Sequence, residues 1–220
     1  TGETGGFEPI VEWSAGSQSC KALPVVADLN GDGLPEILVN EVSTIASLSG
    51  GTGKLTAYQG DGSGALWSVD ARLGYGSPVA VGDVDGDGDP EIVVPRQYES
   101  TIDITTGSLT NEGDFTLVLY DHQGNEIWES EHFIGLDFDY ATAPIISDMD
   151  HDGSPEIVAG RVILNNDGTT RGVGQYGRGS YGITEVWDWV ITETTVSAVA
   201  DLDLDGVEEV IVGNAWYNPD

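Results

Sequence analysis

Four stretches of this chain repeat one another, and that repetition limits its fold more than any other feature. PVVADLNGDGLPEILVN begins at Pro24, VAVGDVDGDGDPEIVVP at Val79, PIISDMDHDGSPEIVAG at Pro144 and SAVADLDLDGVEEVIVG at Ser197. Their first aspartates, Asp28, Asp83, Asp148 and Asp201, lie 55, 65 and 53 residues apart. Each stretch reads as an apolar strand, a nine-residue acidic loop DxDxDGxxE and a second apolar strand, with Asn30 replacing the second aspartate of the first loop. A unit of this kind cannot bury its apolar face alone, so successive units must stack and share a core.

Composition agrees with strands and turns. Gly 31 and Pro 9 in 220 residues favour many short strands, and no segment sustains a helical period with caps at both ends. The expected class is all-β. Thirty-eight acidic residues against 7 basic ones give a formal charge of -31, which excludes a nucleic-acid partner because phosphates are held by clustered Lys and Arg. A hydrophobic content of 39% with 6 Trp and 8 Tyr distinguishes the chain from a disordered acidic tail. No run approaches the roughly 18 uncharged apolar residues of a membrane span, so no direct membrane insertion is expected. Thr1 to Gly6 has neither the basic start nor the apolar core of a signal peptide, so a mature or excised chain is expected. Cys20 is the only cysteine, which excludes an internal disulfide and reads as a structural thiol.

Repeats of this period fit the four-stranded antiparallel blades of a β-propeller. The expected fold is one propeller module over residues 1–220 with about four blade repeats: blade one at 22–70, blade two at 78–131, blade three at 144–190 and a partial blade four at 196–220. Residues 6–16 read as an outer strand that closes the ring, because Trp13 precedes Asp28 much as Trp67 precedes Asp83. Three assemblies fit: a closed four-bladed ring, two combined copies, or part of a larger propeller, the last being favoured. Trp13, Trp67 and Trp128 recur at one place in the repeat and read as packing positions rather than a sugar platform, while Trp187, Trp189 and Trp216 are less regular.

The loop itself carries specific chemistry. Calcium takes six to eight hard oxygens in flexible geometry. Side chains at positions 1, 3, 5 and 9 with the carbonyl of position 7 supply them: Asp28, Asn30, Asp32, Leu34 and Glu36 in the first loop, and Asp83, Asp85, Asp87, Asp89 and Glu91 in the second. The third loop offers Asp148, Asp150, Asp152, Ser154 and Glu156, and the fourth Asp201, Asp203, Asp205, Val207 and Glu209. Position 6 is glycine throughout (Gly33, Gly88, Gly153, Gly206), as a sharp turn requires. Without a cation these carboxylates repel, so up to four calcium ions are expected. An EF-hand loop wants its acid at position 12, where this chain has Val39, Val94, Ala159 and Val212. His151, inside the third loop, reads as a solvent-facing turn residue.

On these loops, and on the Gly and Pro residues that precede them (Tyr75-Gly76-Ser77-Pro78, Ala143-Pro144), residues 22 to 220 resemble the FG-GAP or VCBS repeats, including the calcium-binding repeats of integrin alpha-chain propellers. The resemblance implies a calcium-stabilised propeller outside the cell or on its surface. Its members range from adhesion receptors and bacterial surface proteins to lectin-like modules and accessory regions of polysaccharide-cleaving enzymes. The fourth repeat departs from the pattern at Val196-Ser197 and Val207.

No GxSxG, HExxH, Walker or Cys/His zinc motif occurs, and calcium accounts for most acid pairs. The sequence reading is therefore a non-enzymatic adhesion module that binds a protein or glycan, with part of a polysaccharide lyase or hydrolase as the alternative. The longest insertions, 96–114 and 131–143, place Arg96, Tyr98, Phe133 and Tyr140 on an expected partner surface, together with Asp137, Phe138 and Asp139.

Overall fold

The computed structural model describes residues 10–15, 19–20, 22–42, 53–74, 76–99, 102–103, 108–109, 114–134, 143–175, 180–181, 184–186, 189–191, 194–212 and 215–217. Every regular element among them is a strand, and every pairing is antiparallel. The chain is an all-β protein.

The four repeats become four sheet units. The first pairs Val25–Ala27, Glu36–Val42, Gly53–Tyr58 and Ala65–Leu73 in order. The second pairs Ala80–Gly82, Glu91–Glu99, Asp114–Tyr120 and Glu126–Glu129, and meets the first through the single pair Leu73↔Arg96. The third runs Pro144–Ser147, Glu156–Ala159, Val162–Leu164 and Thr170–Val173. The fourth has three strands among the described residues, Ser197–Ala200, Glu209–Val212 and Ala215–Tyr217. Thr184–Val186 and Trp189–Ile191 form a separate hairpin outside the third sheet.

Successive units pack face to face, and the two-residue period of a strand explains how one sheet serves two neighbours. In the second unit Ile92, Val94, Val118 and Tyr120 bury against Leu38, Leu55 and Ala57 of the first. The alternate residues Val93, Phe115, Leu117 and Leu119 bury against Ile157, Ala159, Val162 and Leu164 of the third. Met149, Val158 and Ile163 continue the pattern against Val210 and Val212 of the fourth. The first strands of consecutive units also lie beside one another.

The tryptophans join units at their outer hairpins. Trp13 Nε1 donates to Gly60 O at 3.2 Å, Trp67 Nε1 to His122 O at 2.9 Å and Trp128 Nε1 to Asn166 O at 3.0 Å. A Cβ on Gly62, Gly124 or Gly168 would fall 2.6, 3.0 and 2.8 Å from those indoles, so these turns need glycine for contact as well as for their positive φ. Residues 10–15 form no strand, yet Trp13 occupies the position that Trp67 and Trp128 hold in the next two units. Cys20 pairs through its backbone with Glu41, and its side chain lies outside the described residues.

The fourth unit differs from the three before it. Loop residues Leu29, Val84 and Met149 are buried by the following unit, whereas their counterpart Leu202 is 51% exposed and Trp216 56%.

Candidate metal centre

One register builds the loop four times. Position 1 directly follows the first strand, and position 9 opens the second and pairs with the last residue of the first: Ala27↔Glu36, Gly82↔Glu91, Ser147↔Glu156 and Ala200↔Glu209. This draws the end acids of each loop together. The position-9 glutamates are 0 to 3% exposed although carboxylates prefer water. Each accepts the N–H of position 2 on one oxygen: Leu29 to Glu36 at 2.8 Å, Val84 to Glu91 at 2.8 Å, Met149 to Glu156 at 3.0 Å and Leu202 to Glu209 at 2.7 Å.

The aspartates tie the loop to itself. The position-6 glycine N–H donates to the position-1 aspartate at 2.9 to 3.2 Å in all four loops. The N–H of position 7 donates to the position-5 aspartate at 2.7 to 2.9 Å. The chain can turn this tightly because positions 4 and 6 both have positive φ: Gly31 and Gly33, Gly86 and Gly88, His151 and Gly153, Leu204 and Gly206. His151 and Leu204 hold it against the penalty that a Cβ brings. His151 is exposed, as a turn residue should be.

Three carboxylates converge in three of the loops. Oxygens of Asp83, Asp85 and Glu91, of Asp148, Asp150 and Glu156, and of Asp201, Asp203 and Glu209 lie within 4.8 Å of one another in each group. Burial, and then the charges of Asp85 and Asp87, push the Glu91 carboxyl above its ordinary value against the pull of the Val84 N–H. Two buried carboxylate oxygens in these groups, Asp148 Oδ1 and Glu209 Oε1, have no hydrogen-bond partner among the described residues. Such orphaned acceptors are costly. An oxygen-seeking cation would satisfy both, so the donor set fits calcium.

The loops treat the remaining oxygen of the buried glutamate differently. Asn30 Nδ2 donates to Glu36 Oε1 at 3.1 Å in the first. Arg171 Nη1 donates to Glu156 Oε1 at 2.6 Å in the third, and its Nη2 to Asp150 Oδ2 at 2.9 Å. The Arg171 hydrogen bond leads the effects that hold Asp150 below the usual carboxylate range. Sequence reasoning assembled the acids and read Arg171 only as one of a loose basic group with Arg161 and Arg178, not as a partner of the third loop.

The expected partner surface is corrected by burial. The second strand runs through Pro95 to Glu99, so Arg96 falls inside the sheet, on the face of Ile92 and Val94. Arg96 is buried, with its guanidinium 2.7 Å from Glu126, 2.8 Å from Glu129 and 2.6 Å from the Tyr120 hydroxyl. Tyr98, half-buried, donates to Glu129 and lies under Arg72, 4.8 Å from its ring centroid. Phe133 is buried against Phe115, with ring centroids 5.3 Å apart. Two of the proposed anchors are therefore core residues. Tyr140, Asp137, Phe138 and Asp139 lie outside the described residues.

The fold and loops define a class: an all-β protein of stacked antiparallel units, each with an acidic loop between its first two strands. Residues 75–114, which span the second loop, match the FG-GAP repeat family. No curated protein sequence matches it. Among solved structures it is similar to the V. cholerae biofilm matrix protein Bap1, with 24% identity and a TM-score of 0.60 over 96% of this chain and 32% of that one. It is also similar to a Bacillus licheniformis rhamnogalacturonan lyase, with 19% identity, a TM-score of 0.61, and 96% and 44% of the two chains covered. An exotype rhamnogalacturonan lyase gives 20%, 0.58, 91% and 40%. The chain spans less than half the length of each. At these identities the likeness is one of fold. No helix among the described residues is long and apolar enough to cross a membrane.

Proposed function

We propose that this chain is a calcium-stabilised β-propeller module that works outside the cell by binding a protein or glycan. The observation that carries the calcium reading is the fourfold loop, in which a fully buried glutamate is held beside one or two aspartates and two carboxylate oxygens remain orphaned. Calcium supplies the positive charge these oxygens lack. Asp28, Asn30, Asp32 and Glu36, with the equivalent residues of the other loops, would hold it, and the carbonyls of Leu34, Asp89, Ser154 and Val207 complete the set. Extracellular calcium modules bind at roughly 0.1–1 mM, which suits calcium outside the cell. Face-to-face stacking of the units through one alternating core supports the propeller.

The second reading is part of a polysaccharide-cleaving enzyme, and the two lyases of similar fold favour it. A binding module and a lyase segment differ in outcome: the first retains a glycan or protein in calcium buffer, the second shortens a polysaccharide. Scanning calorimetry of metal-stripped protein tests the common part. The melting temperature rises with added calcium, and an unchanged value in calcium and in chelator contradicts the proposal.

A further inference from the structure

We infer that the third loop carries its own cation, so that Arg171 makes it the weakest of the four calcium sites. The inference rests on the calcium reading above. Sheet register explains why, among the described residues, this unit has such a cation and the first two do not. In the first three units, the pairing of third and fourth strands slips by one residue at the same place: Ala57↔Trp67 is followed by Tyr58↔Ala65, Leu119↔Trp128 by Tyr120↔Glu126, and Ile163↔Gly172 by Leu164↔Thr170. The residue passed over is Leu66 in the first unit, Ile127 in the second and Arg171 in the third. A bulge of this kind re-aims one side chain. Leu66 and Ile127 are exposed and apolar, and bring no charge to their loops. Among the described residues no cation pairs with Asp201, Asp203 or Glu209 of the fourth loop.

Arg171 spans two of the three carboxylates that a calcium ion would share. Its Nη1 and Nη2 lie 2.6 Å from Glu156 and 2.9 Å from Asp150, a two-pronged contact that an arginine fork makes well. Asp148 Oδ1 stays buried without a hydrogen bond, so the loop still wants a cation. For calcium to use Asp150 and Glu156 fully, the guanidinium must withdraw, and if it stays the two positive charges repel. Either way affinity falls. The same contact offsets part of the repulsion in the third loop when calcium is scarce, whereas among the described residues no Arg or Lys pairs with the acids of the second or fourth loop.

Isothermal titration of the metal-stripped full chain with calcium tests this, using wild type, Arg171→Met and Arg171→Lys, each with and without the pair Asp148→Asn and Asp150→Asn. Wild type should show a class of tighter sites and one site at least about tenfold weaker. Arg171→Met should move that site into the tighter class, while Arg171→Lys, which keeps a cation on the bulge, should leave it weak. Disabling the third loop should cost wild type no tight site and should cost Arg171→Met one. Loss of a tight site from wild type on disabling the third loop overturns the inference, as does an unchanged isotherm for Arg171→Met. Absence of binding to every variant sinks the calcium reading along with it, whereas equal affinity at all loops sinks this inference alone. Circular dichroism of each variant separates these outcomes from unfolding. If Arg171→Met does not fold, Arg171→Leu replaces it, since the first unit carries Leu66 at the same bulge.

Discussion

The second and third loops share a register, a buried glutamate and a pair of aspartates, yet they settle the same electrostatic problem in opposite ways. In the second, Asp83, Asp85 and Glu91 face one another with no side-chain cation paired to them among the described residues, and burial plus neighbouring charge raise Glu91. In the third, Arg171 bridges Asp150 and Glu156. A one-residue bulge delivers Ile127 to one unit and Arg171 to the other. The difference teaches that an acidic loop of fixed geometry can be left for a metal or closed by the chain itself, and that one side chain on a neighbouring strand decides which.

Removing the buried glutamate should separate the loops most. In chelator, Glu156→Ala leaves Arg171 short of a partner and the Met149 N–H without its acceptor, and should cost roughly 3 kcal/mol by urea denaturation. Glu91→Ala loses the Val84 N–H acceptor but relieves repulsion, and should cost about 1 kcal/mol. Equal losses would break the comparison.

Acidity separates them next at position 3 alone, since burial raises Glu156 as it raises Glu91, whereas Arg171 holds Asp150 low. Glu91 is held above its ordinary value of 4.5, so the folded chain takes its proton more readily than the unfolded chain does. Its contribution to stability is present below about pH 4.5 and is lost as pH rises through the folded value. Metal-stripped Glu91→Gln should therefore melt above wild type at pH 7, with the gap closing as pH falls to 4. Asp150 behaves in the opposite sense. Held below its ordinary 3.8, it contributes above that pH, and the contribution fades as pH drops through the folded value. A gap for Glu91→Gln that does not change with pH would contradict the assignment.

The smallest expected effect concerns the backbone. Position 4 has positive φ in both loops, as Gly86 in the second and His151 in the third. His151→Gly should stabilise the third loop by about 1 kcal/mol through relief of strain, and Gly86→Ala should destabilise the second by about the same amount. Denaturation in chelator measures both, and a destabilised His151→Gly would show that the histidine has another role.

Much of this was legible in the sequence because each loop states its own geometry. Glycine at position 6 and glutamate at position 9 recur without exception, and strand boundaries such as Ala65 and Thr170 follow from the turns before them. Position 4 was harder to read, since the glycine signal of Gly31 and Gly86 is hidden by His151 and Leu204, whose backbone the surrounding hydrogen bonds impose. Arg171 was hidden for a different reason. Its meaning depends on a slip in register that no local pattern records. Arg96 was misplaced because the strand continues through Pro95 and its alternation carries Arg96 to a buried network of Glu126, Glu129 and Tyr120, and Phe133 because the short strand Phe133–Ile134 pairs back onto Phe115.

The most direct test is a crystal structure of the chain grown in calcium, with anomalous scattering used to locate and weigh each ion. The account predicts full occupancy at the loops of Glu36, Glu91 and Glu209, and lower occupancy at the loop of Glu156 until Arg171 is replaced by Met. Ions absent from all four loops, or present at equal occupancy beside an unmoved Arg171, would contradict it.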